Sequence, residues 1–306
     1  MCAHIAGWNT ASVANMGSIF FGATSLNCNL AAWNVLRVTN STGSFDSTSA
    51  MVDCYKRSVY GAWGPTLQAA YPTWVTYSQT CLTDANIGTA VSAWVSSPTT
   101  ATTTYGDIAS WDTRTVSNMY QLFYNKPDFN SDISAWNVAS VSNFKLTFGT
   151  AGKFNGDVSK WNVARATNLG SMFDSATVFN IDIGGWNVAS CTHLGDTFSY
   201  ASAFNRDISK WNTASVTAVG GTFYAATAFN QNIGAWNVAS VKYMAGTFNT
   251  AGVASAFNQN IGLWNVASVT HLGRTFSSAS SFNQNVGSWY PLLKPFSSSQ
   301  SSRLSS

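Results

Sequence analysis

The chain predicts a repeat solenoid, mainly β: a leucine-rich-repeat-like, right-handed stack of coils with short parallel strands. Three observations carry this. Trp111, Trp136, Trp161, Trp186, Trp211 and Trp236 stand 25 residues apart, as do Trp8 and Trp33, and Trp264 and Trp289. A nearly constant line accompanies them: WNVASCTHLGDTF from Trp186, WNVASVKYMAGTF from Trp236, WNVASVTHLGRTF from Trp264. Charged residues make up only 9% of the 306 residues, and Ser, Thr, Asn, Ala and Gly fill the intervals between apolar positions. A fixed period of this size marks a chain whose units are coils, each stacked on its neighbours. One interval is irregular, 28 residues from Trp236 to Trp264, because three extra residues sit in TAGVASAF.

Read from the N-terminus, residues 1–50 hold a partial array of about two coils. Ile5 and Trp8 already occupy repeat positions, so the chain reads as starting inside a repeat, a fragment or a misplaced start whose signal peptide would lie upstream. Residues 51–104 form a non-repeating insert. Its part 56–80 is aromatic and holds two prolines, which reads as irregular loop or linker. A short capping helix is expected near 84–95, with Thr83 or Asp84 at its start, Ile87, Ala90, Val91 and Trp94 on one face, and Pro98 after its end. Such a helix would cover the first coil of the main array, residues 105–290, since terminal coils need a cap. Pro291 and Pro295 end the array, and the polar tail 291–306 reads as disordered.

Within one coil the apolar residues are Phe179, Ile183, Trp186, Val188, Cys191, Leu194, Phe198 and Ala201. Their spacing sustains neither a 3.6-residue period nor strict alternation, so straight pieces are short and corners frequent. Trp-Asn-Val is the clearest local strand signal, with Trp and Val facing in and Asn out.

Polar positions recur as strictly. Four residues before Trp stand Asp107, Asp132, Asp157, Asp182 and Asp207, then Asn232, Asn260 and Asn285. In parallel register such side chains would lie about 4.8 Å apart, and a carboxylate row at that spacing needs solvent or a cation to screen it. The change to Asn keeps an acceptor oxygen and drops the charge, which points to backbone N–H acceptance at a corner rather than to calcium. Asn137, Asn162, Asn187, Asn212, Asn237 and Asn265 directly follow Trp, and Asn130, Asn155, Asn180, Asn205, Asn230, Asn258 and Asn283 follow Phe. Both rows are expected to form Asn ladders from coil to coil.

Several functions are excluded on composition. A net charge of +3 without a basic stripe argues against nucleic acid. No apolar run approaches the roughly 20 residues of a membrane span. Five cysteines, with no CxxC, give no metal signature. Cys191 stands where Val occurs in other coils and reads as core, while Cys54 and Cys81, both in the insert, can pair in an oxidising compartment. His193 and His271 share an outward offset with Asn118, Asn143, Asn168 and Tyr243 and read as surface residues. With no GxSxG, phosphate loop or HExxH, no catalytic, cofactor or metal-binding residue is assigned, and the chain reads as no enzyme.

The string FNQNIGAWNVASVKYMAGTFNTA, residues 229–251, resembles the repeat of BspA-like leucine-rich-repeat surface proteins, also described as a mycoplasma-type lipoprotein repeat of unknown function. The resemblance covers about two thirds of the chain. It implies a leucine-rich-repeat-like coil stack on a secreted or surface-attached protein, with adhesion or ligand binding as its activity and no catalytic residues. Phe, Trp, Ile and Val replace the usual Leu, which leaves two strand positions open, Asn232-Ile233 or Trp236-Asn237-Val238.

The expected function is therefore a non-enzymatic adhesion or ligand-binding scaffold, extracellular or at the cell surface, without cofactor. Its partner would be a protein or glycan of the cell surface or matrix, met by variable outward residues such as Ala135, Lys160, Gly185, Lys210, Ala235 and Leu263. The alternative is a structural or ice-interacting wall protein, suggested by low charge and by Thr197, Thr222, Thr247 and Thr275 at one offset, a row that Leu122 and Met172 interrupt.

Overall fold

The computed structural model describes residues 2–76 and 80–289, and the polar tail expected over 291–306 lies outside them. Within these residues the 25-residue units stack so that equivalent rings meet. Trp136 packs on Trp111 with centroids 5.8 Å apart, and Trp236 on Trp211 at 6.2 Å. From Trp136 to Trp289 each repeat indole N–H donates to a carbonyl of the preceding unit, as Trp186 Nε1 to Val158 O (3.0 Å) and Trp211 Nε1 to Ile183 O (3.1 Å). A buried indole therefore keeps its hydrogen bond while its rings cover apolar area. Two phenylalanine columns run alongside, one through Phe148, Phe173 and Phe198, the other through Phe154, Phe179 and Phe204. They press face to face inside each unit, at 3.8 Å for Phe173 and Phe179.

The mainly β, leucine-rich-repeat-like architecture does not hold: no strand is present among the described residues. Neighbouring units share only isolated parallel bridges, such as Asn118 with Asn143 and Tyr243 with His271. The reason lies in the backbone between Leu194 and Ala201 and its equivalents. Leu194, Asp196, Phe198 and Tyr200 donate their N–H groups to Ala218, Gly220, Thr222 and Tyr224 of the next unit. Between them, Thr197, Ser199 and Ala201 bond back three residues to Leu194, Asp196 and Phe198. Asp196 (φ 56°) and Tyr200 (φ 53°) are left-handed, and so are Leu146, Thr150, Ser171 and Ser175 at the same offsets. Left-handed residues every fourth position wind the path into consecutive turns, whereas a strand needs negative φ throughout. The backbone is satisfied from unit to unit without becoming extended.

Neither strand position proposed from sequence survives. Trp236 and Val238 are buried and Asn237 is exposed, but Asn237 Oδ1 accepts the N–H of Ala239 (3.1 Å) in a turn.

Helices are confined to the ends and the insert. α1 spans Cys2–Ala6, α2 Asp53–Trp63, α3 Pro65–Ala70, α4 Ile87–Ser96 and α5 Pro98–Tyr105, with a 3-10 segment at Pro72–Thr76. The stretch expected as loop or linker is thus largely helical. Its prolines Pro65 and Pro72 are not breakers but stand at the first position of a helix, where a missing N–H costs nothing. The capping helix is shifted by a few residues from 84–95 and is followed by α5, so Pro98 opens a helix rather than marking a stop. Ile87, Ala90 and Val91 are buried, and Trp94 packs edge-on against Trp111 (6.2 Å).

Two apolar cores result. One runs from Met16 to Trp74, the other from Leu82 to Trp289. Trp63, at the end of α2, stacks on Trp33 at 5.8 Å and donates Nε1 to Leu30 O, so the insert itself extends the first tryptophan column. Cys54 and Cys81 form a disulfide that ties α2 to the segment leading into α4.

Candidate functional site

Most of the polar rows serve the scaffold. All eight residues of the row before Trp bond their own corner, for example Asp132 Oδ1 from Ser134 N (2.9 Å), Asp182 from Gly184 N (3.0 Å) and Asn260 from Gly262 N (3.0 Å). The Ser134 N–H holds the Asp132 carboxyl below the usual carboxylate range even though Asp157 pushes it the other way. At Asp132 hydrogen bonding thus outweighs the repulsion from Asp157. Among the described residues no group of three or more His, Cys, Asp or Glu is placed to hold a metal.

The Asn residues that follow Trp do not form the ladder expected of them, since each turns back on its own backbone, as Asn187 Oδ1 from Ala189 N (3.1 Å). The row after Phe does run between units, with main-chain donors: Asn180 N donates to Asn155 Oδ1 (2.9 Å) and Asn230 N to Asn205 Oδ1 (2.9 Å). The threonine row is buried. Thr197, Thr222, Thr247 and Thr275 donate Oγ1 to carbonyls of their own and the preceding unit, as Thr247 to Met244 O (2.7 Å) and Val219 O (3.0 Å). This row has no surface to offer ice. His193 and His271 are exposed, each paired through Nδ1 with the adjacent threonine hydroxyl, Thr192 (2.8 Å) and Thr270 (2.9 Å). The variable residues before Trp are exposed as expected.

The array's concavity lies elsewhere, at the corner that follows the inner phenylalanine. A groove of about 590 Å³ crosses four successive units. One side is the row Ser175, Tyr200, Ala225, and the other the row Thr177, Ser202, Thr227. Ala251 and Val253 wall its far end, and Val253 belongs to the three-residue insertion that breaks the period. Insertions in repeat proteins map to loops on one face, often the binding face. A larger hollow of about 760 Å³ is walled by the insert and its disulfide together with Ser110, Trp111 and Asp112 of the first unit.

The groove's hydroxyls are oriented by the scaffold. Thr177 Oγ1 donates to Gly152 O (3.3 Å), Ser202 Oγ to Thr177 O (3.2 Å) and Thr227 Oγ1 to Ser202 O (3.3 Å). With each proton committed to the preceding unit, the oxygens remain as acceptors repeated once per unit. Tyr200 is exposed and leans edge-on against Tyr224 at 5.2 Å. Beside it lie two acids from adjacent units. Burial raises the Asp174 carboxyl above the ordinary value although the Ser199 and Ser175 hydroxyls oppose it. Asp196 is likewise raised, by loss of surrounding solvent and then by the Asp174 charge, with Lys145 pulling the other way. Gly221, left-handed (φ 64°), leaves room for the Asp196 carboxyl, which a Cβ there would displace.

Sequence reasoning did not find this groove. Its walls come from residues 25 apart that carry no motif, and the insertion at residues 251–256 was the one readable signal.

No curated protein and no solved structure matches the chain. The family model described as "Mycoplasma protein of unknown function, DUF285" matches residues 2–58, 93–209 and 192–292, leaving out a stretch with the end of α2, all of α3 and the start of α4. Those matches cover well over half of the sequence, and the chain belongs to this Mycoplasma repeat family of unknown function, DUF285.

Proposed function

We propose that the protein is a non-enzymatic repeat scaffold that binds a ligand of the cell surface or matrix through the corner groove. The observation that carries this reading is the groove itself, a concavity that crosses four units and ends at the residues where the array departs from its period. The surrounding repeat supports it, because the Asp, Asn and Thr rows are committed to corners and to unit contacts, which leaves recognition to the residues that vary. A secreted or surface location is part of the proposal. The Cys54–Cys81 disulfide supports it, since such bonds persist in oxidising compartments. The resemblance to BspA-like surface repeats points the same way. No helix among the described residues is long and apolar enough to cross a membrane, so attachment would come from elsewhere.

The test is binding of the purified full chain to cells and to extracellular-matrix preparations. Saturable binding, absent from a scrambled-sequence control of equal composition, is the expected result, and signal no greater than that control would sink the reading.

A further inference from the structure

Resting on that scaffold reading, we infer that the groove takes a neutral, hydroxyl-rich glycan chain laid along the stack, with Tyr200 as the platform for a sugar face. Three features select this chemistry. First, three of the groove's four units repeat a hydroxyl acceptor, at Thr177, Ser202 and Thr227, and the facing row includes the apolar Ala225. A pyranose has an apolar face and a rim of hydroxyls, which matches apolar lining with a few placed polar groups. Tyr200 adds an exposed, amphipathic ring of the kind that covers such a face while its hydroxyl stays wet.

Second, an extended peptide finds no main-chain partner here. The backbone beside the groove is already consumed between units, through Ser175 N to Ser199 O (2.7 Å), Tyr200 N to Tyr224 O (2.7 Å) and Ala225 N to Asn249 O (2.8 Å). Strand addition requires a free edge, and this corner has none. Third, charge disfavours a polyanion. No Lys or Arg lines the groove, so sulfate, phosphate and uronate find no counter-charge there. A neutral chain that advances about one sugar per unit, the units being about 4.8 Å apart as in a parallel ladder, meets each hydroxyl in turn.

The experiment uses the full chain against immobilised neutral oligosaccharides, namely glucose, mannose and N-acetylglucosamine oligomers, with heparin as the anionic comparison. Saturable binding to at least one neutral series is expected, weakened by about tenfold or more in Tyr200→Ala, a loss of about 1.4 kcal/mol. Ala225 shows that alanine is tolerated at this offset, so the variant retains the fold. Tyr243→Ala, at an exposed tyrosine on a different row, should leave binding unchanged. Removing Gly252, Val253 and Ala254 restores the 25-residue interval and takes away the end wall, and should weaken binding as well. Binding to matrix protein or to heparin but to no neutral glycan would overturn the glycan inference and leave the scaffold reading standing. Neutral-glycan binding unaffected by both Tyr200→Ala and the deletion would overturn the assignment to this groove. Failure to bind cells, matrix and glycans alike would remove both.

Discussion

Asp174 and Asp196 behave oppositely to the acids of the row before Trp. Both have carboxyls raised above the ordinary range, so the folded chain holds their protons more tightly than the unfolded one. Their contribution is most favourable at low pH and declines as pH rises from the ordinary carboxylate range through the raised values. Asp157 and Asp207 are lowered by the hydroxyls and N–H groups of Ser159 and Ser209, and their contribution is present at neutral pH and fades on acidification. We expect Asp196→Asn to gain stability relative to wild type as pH rises from about 4 to 7, in the range where carboxyls titrate. Thermal melts of both proteins across that range check it, and a pH-independent difference would show that the Asp196 carboxyl is not raised by its surroundings. At this scale the sequence was partly readable. Asp and Asn at one offset revealed the corner task because the two share only an acceptor oxygen. Left-handed backbone stayed hidden because Leu146, Ser171, Tyr200 and Ala225 carry it instead of glycine or asparagine.

Among the elements, the approach to α4 shows how a stack is terminated. Asp84 was a candidate for the helix start, yet Asn86 precedes the helix and its Oδ1 accepts the N–H of Thr83 (2.8 Å). Asp84 faces the array instead, accepting from Ser117 N (2.7 Å), Asn118 N (3.0 Å) and the Ser117 hydroxyl (2.5 Å). In later units the residue equivalent to Ser117 donates to the preceding unit, as Thr192 N to Thr167 O (2.9 Å). The Asp84 carboxylate therefore stands in for the carbonyl of a unit that is not there. Partial burial pushes its carboxyl up, but these hydrogen bonds prevail and hold it below the usual range. Asp84→Ala should cost about 1–2 kcal/mol, the size of a lost cap with water as the substitute partner. Denaturant midpoints give the loss, and faster amide exchange at Ser117 and Asn118 locates it. Helical propensity was visible in the sequence here, but Asp84, expected as a start of the helix, serves the array instead. The partner of that residue was not visible, because it lies 33 residues away.

For the molecule as a whole, period is what the sequence expresses most clearly, since stacked rings demand identical residues at identical intervals. The class of backbone is expressed poorly. Turn-built and strand-built stacks bury the same pattern and differ in φ at positions where the side chain points outward. The insert was obscure for a related reason: it copies the geometry of the repeat without its spacing, Trp63 lying 30 residues beyond Trp33. Its disulfide closes a loop with the two cysteines 27 positions apart. Replacing both Cys54 and Cys81 by Ser should lower stability by about 2–4 kcal/mol. The loss should concentrate in the core from Met16 to Trp74, and calorimetry with and without the substitutions would separate that core from the larger one.

The direction of the amides at Leu194, Asp196, Phe198 and Tyr200 has a further bearing. All four point toward the C-terminal neighbour, so along this stretch every unit donates forward and accepts from behind, and each junction repeats the same pairing. A lineage can therefore lengthen or shorten such an array by whole tandem duplications or deletions without redesigning a single junction. Novelty, by contrast, enters through small irregularities such as the three residues near Val253, which reshape one patch and leave the joints untouched.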